Sequence, residues 1–265
     1  MENSSPEICK LITALEANER LVVMLAPSFP VDFSYPEIVG KLKRLGFTYV
    51  VEVARGAMET NRELLELIKK NPKARFITSP CPAIVRLIRN KYPELVEFLA
   101  PVDSPMCQTA KLVRQNFPGL KPVFIGPCPP KKAEASQDHP ELGITVLTYK
   151  ELKEIFAIKH IKEDSSDFMA SFDMTGPETR LYPISGGLAQ SAALNNFLTD
   201  QELDVISGPR LVEKALKDFP KNRLRVLDIL FCDGGCIAGA GITSSLSALK
   251  RREKVIAHWA SATMK

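Results

Sequence analysis

The chain has 265 residues, enough for one large domain or two small lobes with a sizeable core. Its 45% hydrophobic and 25% charged content is that of an ordinary globular protein. The net charge is +4, but the basic residues form no aromatic-interleaved stripe and no apolar run nears the roughly 18 residues of a membrane helix, which argues against nucleic-acid and membrane partners.

Residues 1–20 read as a polar lead with a short helix; they lack the apolar core of a signal peptide and hold an isolated Cys9. Residues 21–265 read as one domain. Residues 21–25 form an apolar run ended by Ala26-Pro27-Ser28, which predicts a buried strand. Helical spacing follows over 36–45 and stops at Gly46; 47–53 is a second strand and 58–70 a charged amphipathic helix. Residues 75–77 are a third strand before Thr78-Ser79-Pro80-Cys81-Pro82. Helices are expected over 83–91, 93–99 and 106–115. A fourth strand, 123–125, leads into Gly126-Pro127-Cys128-Pro129-Pro130. A strand over 144–147 and a helix over 149–156 come next. Residues 163–180 are polar without periodicity, so an insertion or mobile loop is expected. Residues 181–184 read as a short strand before Ser185-Gly186-Gly187, and 211–219 as a helix. The last strand, 225–231, runs into Cys232-Asp233-Gly234-Gly235-Cys236, and a terminal helix lies within 244–264. Strands alternating with helices predict an α/β fold, mainly parallel sheets flanked by helices.

Cys81, Cys128 and Cys232 each follow the end of a predicted strand, and Cys236 comes four positions after Cys232. Ligands of parallel sheets bind beyond the carboxyl ends of the strands, so these thiols can converge. Two thiols on a glycine-rich turn suit a soft metal or an iron–sulfur cluster; the competing reading is a plain turn with incidental cysteines. Structural zinc draws its ligands in close pairs, which the two separate single cysteines do not match. A cysteine nucleophile wants a histidine, and His139, His160 and His258 lie in polar or terminal stretches. With no secretory signal, a reducing cytoplasm is expected, where cysteines serve as ligands more than as disulfides.

The three segments, the second extending through Lys131-Lys132-Ala133-Glu134 and the third through Ile237-Ala238-Gly239, resemble the signature motifs of the iron-only (FeFe) hydrogenases. The resemblance runs from Ala26-Pro27-Ser28 to Gly241. It implies two α/β lobes with the metal site between them. It also implies an H-cluster: a 4Fe–4S cluster held by Cys81, Cys128, Cys232 and Cys236, with Cys236 bridging to a two-iron subsite that carries CO and cyanide. Pro27, Ser28 and Lys131 match positions that hold the cyanides. An anionic cyanide in a dry pocket needs a cation or fixed donors, which agrees with Lys131; a solvated surface lysine is the plain alternative. Ser185, Gly186 and Gly187 match a loop that walls the two-iron subsite, or form a plain turn.

Three positions depart from the family pattern. Pro80 stands where active members commonly have a proton-donating cysteine, and Gly126 and Leu230 stand where methionines are usual. Cys107, in Ser104-Pro105-Met106-Cys107, is the nearest substitute proton carrier by motif, or a small buried helix residue. These departures resemble the divergent, sensory-type members. The resemblance implies slow reversible conversion of hydrogen and protons, or hydrogen sensing. A separate ferredoxin-like electron-transfer protein and maturation proteins are the implied partners. The alternative is a non-catalytic iron–sulfur protein resembling the hydrogenase-like assembly factors, against which the solitary Cys9 counts. An interaction domain that has lost its metal is a third, opposed by the retained cysteines.

Overall fold

A computed structural model describes residues 4–263; the first three residues of the expected lead, and position 264 of the expected terminal helix, lie outside them. Among the described residues, seven strands form two parallel sheets. They are β1 (Leu21–Leu25), β2 (Tyr49–Glu52), β3 (Phe76–Ile77), β4 (Lys121–Gly126), β5 (Thr145–Thr148), β6 (Leu203–Ser207) and β7 (Val226–Leu230). The larger sheet has the order β2-β1-β4-β5 and the smaller the order β3-β7-β6. Every pairing is parallel, as the strand–helix alternation predicts. β1 and β7 are buried along their whole length, because a central parallel strand is covered on both faces.

Helix Pro6–Glu16 is more than a polar lead: Ile8, Leu11 and Ile12 enter the core of the larger sheet with Val23, Val123 and Leu152. Ser5 caps it by accepting from the Ile8 amide, and Pro6 opens it. Helix Val53–Lys70 begins five residues earlier than the charge pattern suggests, directly at the end of β2. Its first turn, which includes Gly56, packs on helix Pro105–Asn116. The small sheet has its own core, in which Ile77, Leu227 and Ile229 meet Ile84, Val212 and Phe219.

Residues 163–180 are not a loose insertion. Asp167 is buried and takes two hydrogen bonds from Arg44, at 2.8 and 2.7 Å. Asp173 accepts from the Val50 amide, and Met174 bridges to Val51 at the edge of the larger sheet. The polarity of this stretch reflects specific pairing, which periodicity does not report. Residues 181–184 form turns instead of a strand; only Ile184 makes an isolated bridge, to Gly235. β6 carries no strong apolar run because it is a half-buried edge strand.

Helix Ala248–Thr263 closes the fold, with Val255 packed on Val31, Leu181, Ile184 and Ile237. Its His258 is buried, edge-on to Phe29 at 4.9 Å, with Nε2 3.4 Å from Glu52. No helix among the described residues is long and apolar enough to cross a membrane.

Candidate metal centre

The carboxyl ends of the two sheets meet at one small cavity of about 80 Å³ with almost wholly apolar walls. The larger sheet contributes Ala26, Pro27 and Ser28 after β1, and Phe124, Pro127 and Cys128 on and after β4. The smaller sheet contributes Pro80, Cys81 and Pro82 after β3, and Leu230 and Cys236 on and after β7. Within each sheet parallel strands point their carboxyl ends the same way, so the loops after them gather at one end, and the packing of the two sheets brings those ends together.

Cys81 opens helix Pro82–Lys91 from an extended conformation, with proline at the first helical position. Cys232 and Cys236 flank a turn closed by the hydrogen bond from the Gly235 amide to the Cys232 carbonyl. Gly235 has φ of +102°, and a side chain there would meet the Pro183 carbonyl at 2.5 Å. Gly239 likewise passes the Pro127 carbonyl, which a Cβ would approach to 2.6 Å. These glycines bring the Cys236 turn against the Cys128 loop.

Cys81, Cys128 and Cys236 line the cavity; Cys232 does not line it but lies close enough to perturb Cys128 and Cys236. All are free thiols. Burial, then repulsion from the Cys81 sulfur, pushes Cys128 up to about 12. Cys236 is pushed well up by burial and by Cys81, Cys128 and Cys232, and Cys232 is raised by burial and Cys81. Four crowded thiols in an apolar space ionise only if a cationic group joins them, so this donor set fits a metal cluster. Among the described residues no three His, Cys, Asp or Glu side chains meet closely enough to hold a single metal ion. Three of the thiols line a space, with Cys232 beside them, instead of meeting at a point, which suits a multi-iron unit better than zinc.

Lys131 is not a solvated surface lysine: it is 8% exposed and lines the cavity. Helix Pro130–Ala133 carries it and widens at once into a π turn over Glu134–Asp138. Its Nζ lies 2.6 Å from Glu134 and donates to Ser104 Oγ at 3.0 Å and to the Pro80 carbonyl at 3.3 Å. Burial, the largest single influence, would lower its pKa, but the Glu134 charge and hydrogen bond together with Cys107 and Cys128 outweigh it and the net direction is up, so the ammonium stays charged. Ser28 is fully buried beside Tyr149, whose hydroxyl is 2.7 Å from Ser28 Oγ and donates to the Ala26 carbonyl.

Cys107 is not brought to the cavity. Pro105 and Met106 line it, whereas the Cys107 thiol turns to Glu134 at 3.9 Å. Burial, then the Glu134 charge, pushes Cys107 up to about 12. Ser185, Gly186 and Gly187 do not line the cavity either; Tyr182 and Pro183, just before them, do. Gly187 sits on the Leu181 carbonyl and Ser185 donates its amide to Gly234, so that loop supports the Cys236 turn from outside. Cys9 lies on the first helix, apart from the cavity.

Sequence reasoning missed Phe124, Tyr182 and Pro183 in the wall, and Glu134 and Tyr149 as supports. The Lys131–Glu134 spacing of three was a legible helical pair. Tyr149 left no signal, because it meets Ser28 across 121 positions.

The family described as iron-only hydrogenase large subunit, C-terminal domain, matches residues 19–240. Iron hydrogenase 1 of Clostridium pasteurianum is 27% identical over 296 residues, covering 86% of this chain and 51% of that protein. The NADP-reducing hydrogenase subunit HndD of Solidesulfovibrio fructosivorans is 22% identical over 283 residues, covering 83% and 48%. The cytosolic Fe-S cluster assembly factor NAR1 of Kluyveromyces lactis is 27% identical over 160 residues, covering 56% and 34%. The chain thus spans about half the length of the two hydrogenase relatives and a third of the assembly factor. A solved FeFe hydrogenase, from a study of oxygen inactivation at the H cluster, superposes with a TM-score of 0.71 at 17% identity, covering 96% of this chain and 88% of that one. The apo form of a HydA1 variant from Chlamydomonas reinhardtii gives a TM-score of 0.68 at 17% identity with the same coverage. These likenesses establish the fold.

Proposed function

Because the chain belongs to the family of the iron-only hydrogenase large subunit, C-terminal domain, we propose that it binds an H-cluster and converts hydrogen slowly or senses it. In this reading Cys81, Cys128, Cys232 and Cys236 would hold the 4Fe–4S part, and Cys236 would also hold a two-iron unit carrying CO and cyanide. One observation carries it: thiols from the ends of both sheets and a buried lysine converge on one apolar cavity.

When bound, such a group supplies electron storage and heterolytic cleavage of hydrogen. The protein's own part is to bind, orient and exclude water. Lys131 presents a permanent cation to an anionic ligand, and Glu134, Ser104 and the Pro80 carbonyl fix its direction. Ser28 offers a hydroxyl held by Tyr149. Met106, Phe124, Leu230 and the prolines keep the site dry, which strengthens every charge interaction inside it. Pro80 lines the cavity without a titratable group, so proton supply is poor and low turnover follows. Cytoplasmic location, a separate ferredoxin-like electron carrier and maturation proteins belong to the same proposal.

A second reading, a non-catalytic iron–sulfur protein of the assembly-factor kind, is favoured by Pro80 and by the partial likeness to NAR1. Infrared spectroscopy of protein expressed with maturation proteins separates the two. CO and cyanide bands are expected for the first; a cubane signal without them supports the second. Cys128→Ala and Cys232→Ala are expected to lose most cluster absorbance after anaerobic reconstitution, while Cys9→Ala keeps it. Equal loss in all three overturns the ligand set.

A further inference from the structure

The inner wall of the cavity is built by an unusual pairing on β4. Positions 124 and 126 lie on one side of that strand, and Cys128, two residues past its end, is a cysteine of the site. Position 126 is glycine, and the Phe124 ring lies over it. A Cβ placed on Gly126 would meet Cε1 and Cζ of Phe124 at 2.6 Å and the Ala26 Cβ at 3.0 Å. Phe124 is 3% exposed, so its ring has no room to swing into solvent. Phe124 and Ala26 line the cavity and Gly126 does not. The ring therefore takes the space that a side chain at 126 would fill, and turns it into wall.

We propose that Phe124 sets the depth of the cavity, and through it the size of the group that seats beside Lys131. In its application to iron the proposal rests on the H-cluster reading; the wall itself does not. Interiors are close-packed, so a ring held between strand and cavity defines a volume more sharply than a flexible side chain does. Gly126 is required for that position: any side chain there displaces the ring from its place or forces it out of its rotamer.

Two measurements test this. The first uses the full chain expressed without maturation proteins, with benzene as probe. Apolar cavities of about 150 Å³ bind benzene, whereas this one is about 80 Å³. Saturating benzene is expected to leave the wild-type melting temperature unchanged and to raise that of Phe124→Ala by roughly 2–4 °C. If Phe124→Ala does not fold, Phe124→Leu with xenon, read by xenon NMR, replaces it and is expected to gain a bound-xenon signal over wild type. An equal response in wild type and variant, or none in either variant, overturns the proposal.

The second measures cyanide-band intensity after maturation, at matched 4Fe–4S absorbance. Gly126→Ala is expected to lose about tenfold or more, and Phe124→Leu added to Gly126→Ala to restore most of it. Retained bands in Gly126→Ala, or no rescue by the second change, overturns the proposal. If wild type itself shows no cyanide bands, the two-iron reading fails, and the benzene or xenon result still decides the role of Phe124.

Discussion

Lys131, Glu134 and Ser104 form a compact charged knot at the wall of an apolar cavity, and Pro80 touches it only through its carbonyl. Lys131 therefore has a fixed direction, while nothing at position 80 can pass a proton. Cys107 does not replace it, because its thiol faces Glu134 and burial pushes it up to about 12. A positioned acid or base is worth roughly 10²–10⁴-fold in rate. Pro80→Cys is accordingly expected to speed hydrogen evolution and oxidation at matched two-iron occupancy, and Cys107→Ala to leave both rates unchanged; a fast wild type slowed by Cys107→Ala would contradict this. Asp228 on β7 is the other notable residue. It is wholly buried, accepts from the Ala189 amide at 3.2 Å and lies 3.4 Å from the Thr78 hydroxyl. Burial raises it from 3.8 to about 6 despite those bonds. The folded state therefore holds a proton that the unfolded state has released between pH 4 and 6. Stability falls as pH rises through that window and stays lower above it, by on the order of 2–3 kcal/mol. Asp228→Asn is expected to flatten this slope in denaturant titrations at pH 4, 5, 6 and 7; an unchanged slope would place the proton elsewhere.

At the level of elements, the turn segment 163–180 and the terminal helix are tied to the larger sheet by one buried ion pair. Arg180 reaches Glu52, the last residue of β2, with two hydrogen bonds at 2.7 and 3.0 Å, and its guanidinium also donates to the His258 carbonyl. The Gly176 amide adds a further bond to Glu52. Burial by itself would raise the Glu52 carboxyl, but His258, Arg180 and Gly176 together hold it below its ordinary value. Removing one partner of a buried pair leaves the other charge without compensation. Arg180→Ala is expected to cost roughly 3–5 kcal/mol in chemical unfolding. Arg180→Met together with Glu52→Gln is expected to cost clearly less than Arg180→Ala; equal costs would mean that packing, not charge, holds the segment.

For the whole molecule, the two sheets have separate cores, and the candidate ligands are divided between them. Cys128 follows the larger sheet, whereas Cys81, Cys232 and Cys236 follow the smaller. A group bound by all of them joins the two halves and stabilises only the state in which they are aligned. Calorimetry is expected to show one transition at higher temperature for iron-loaded protein, and a lower, broader one after iron is removed by a chelator. Cys128→Ala should melt like the iron-free chain whether or not iron is supplied. A melting profile indifferent to iron would mean that the sheets are coupled by packing alone.

Alternation of apolar strand runs with amphipathic helices was enough to establish parallel α/β architecture, because both signals are local periodicities of the chain. Strand ends were equally legible, and with them the gathering of Cys81 and Cys232 at one end of their sheet, since parallel strands of one sheet end on the same side; that Cys128 of the other sheet meets them there was decided by how the two sheets pack. The edge strand β6 escaped because a half-buried edge needs no strong pattern. The polar segment 163–180 looked loose because its order comes from Arg44, Glu52 and Val50, more than a hundred positions away. The wall of the cavity was beyond the sequence for the same reason. Which of Met106 and Cys107 faces it is decided by how helix Pro105–Asn116 rotates against its neighbours, and motif position carries no such information. The Phe124 ring over Gly126 belongs to this class: both residues were visible in the chain, but only side-chain packing in three dimensions determines that one fills the place of the other.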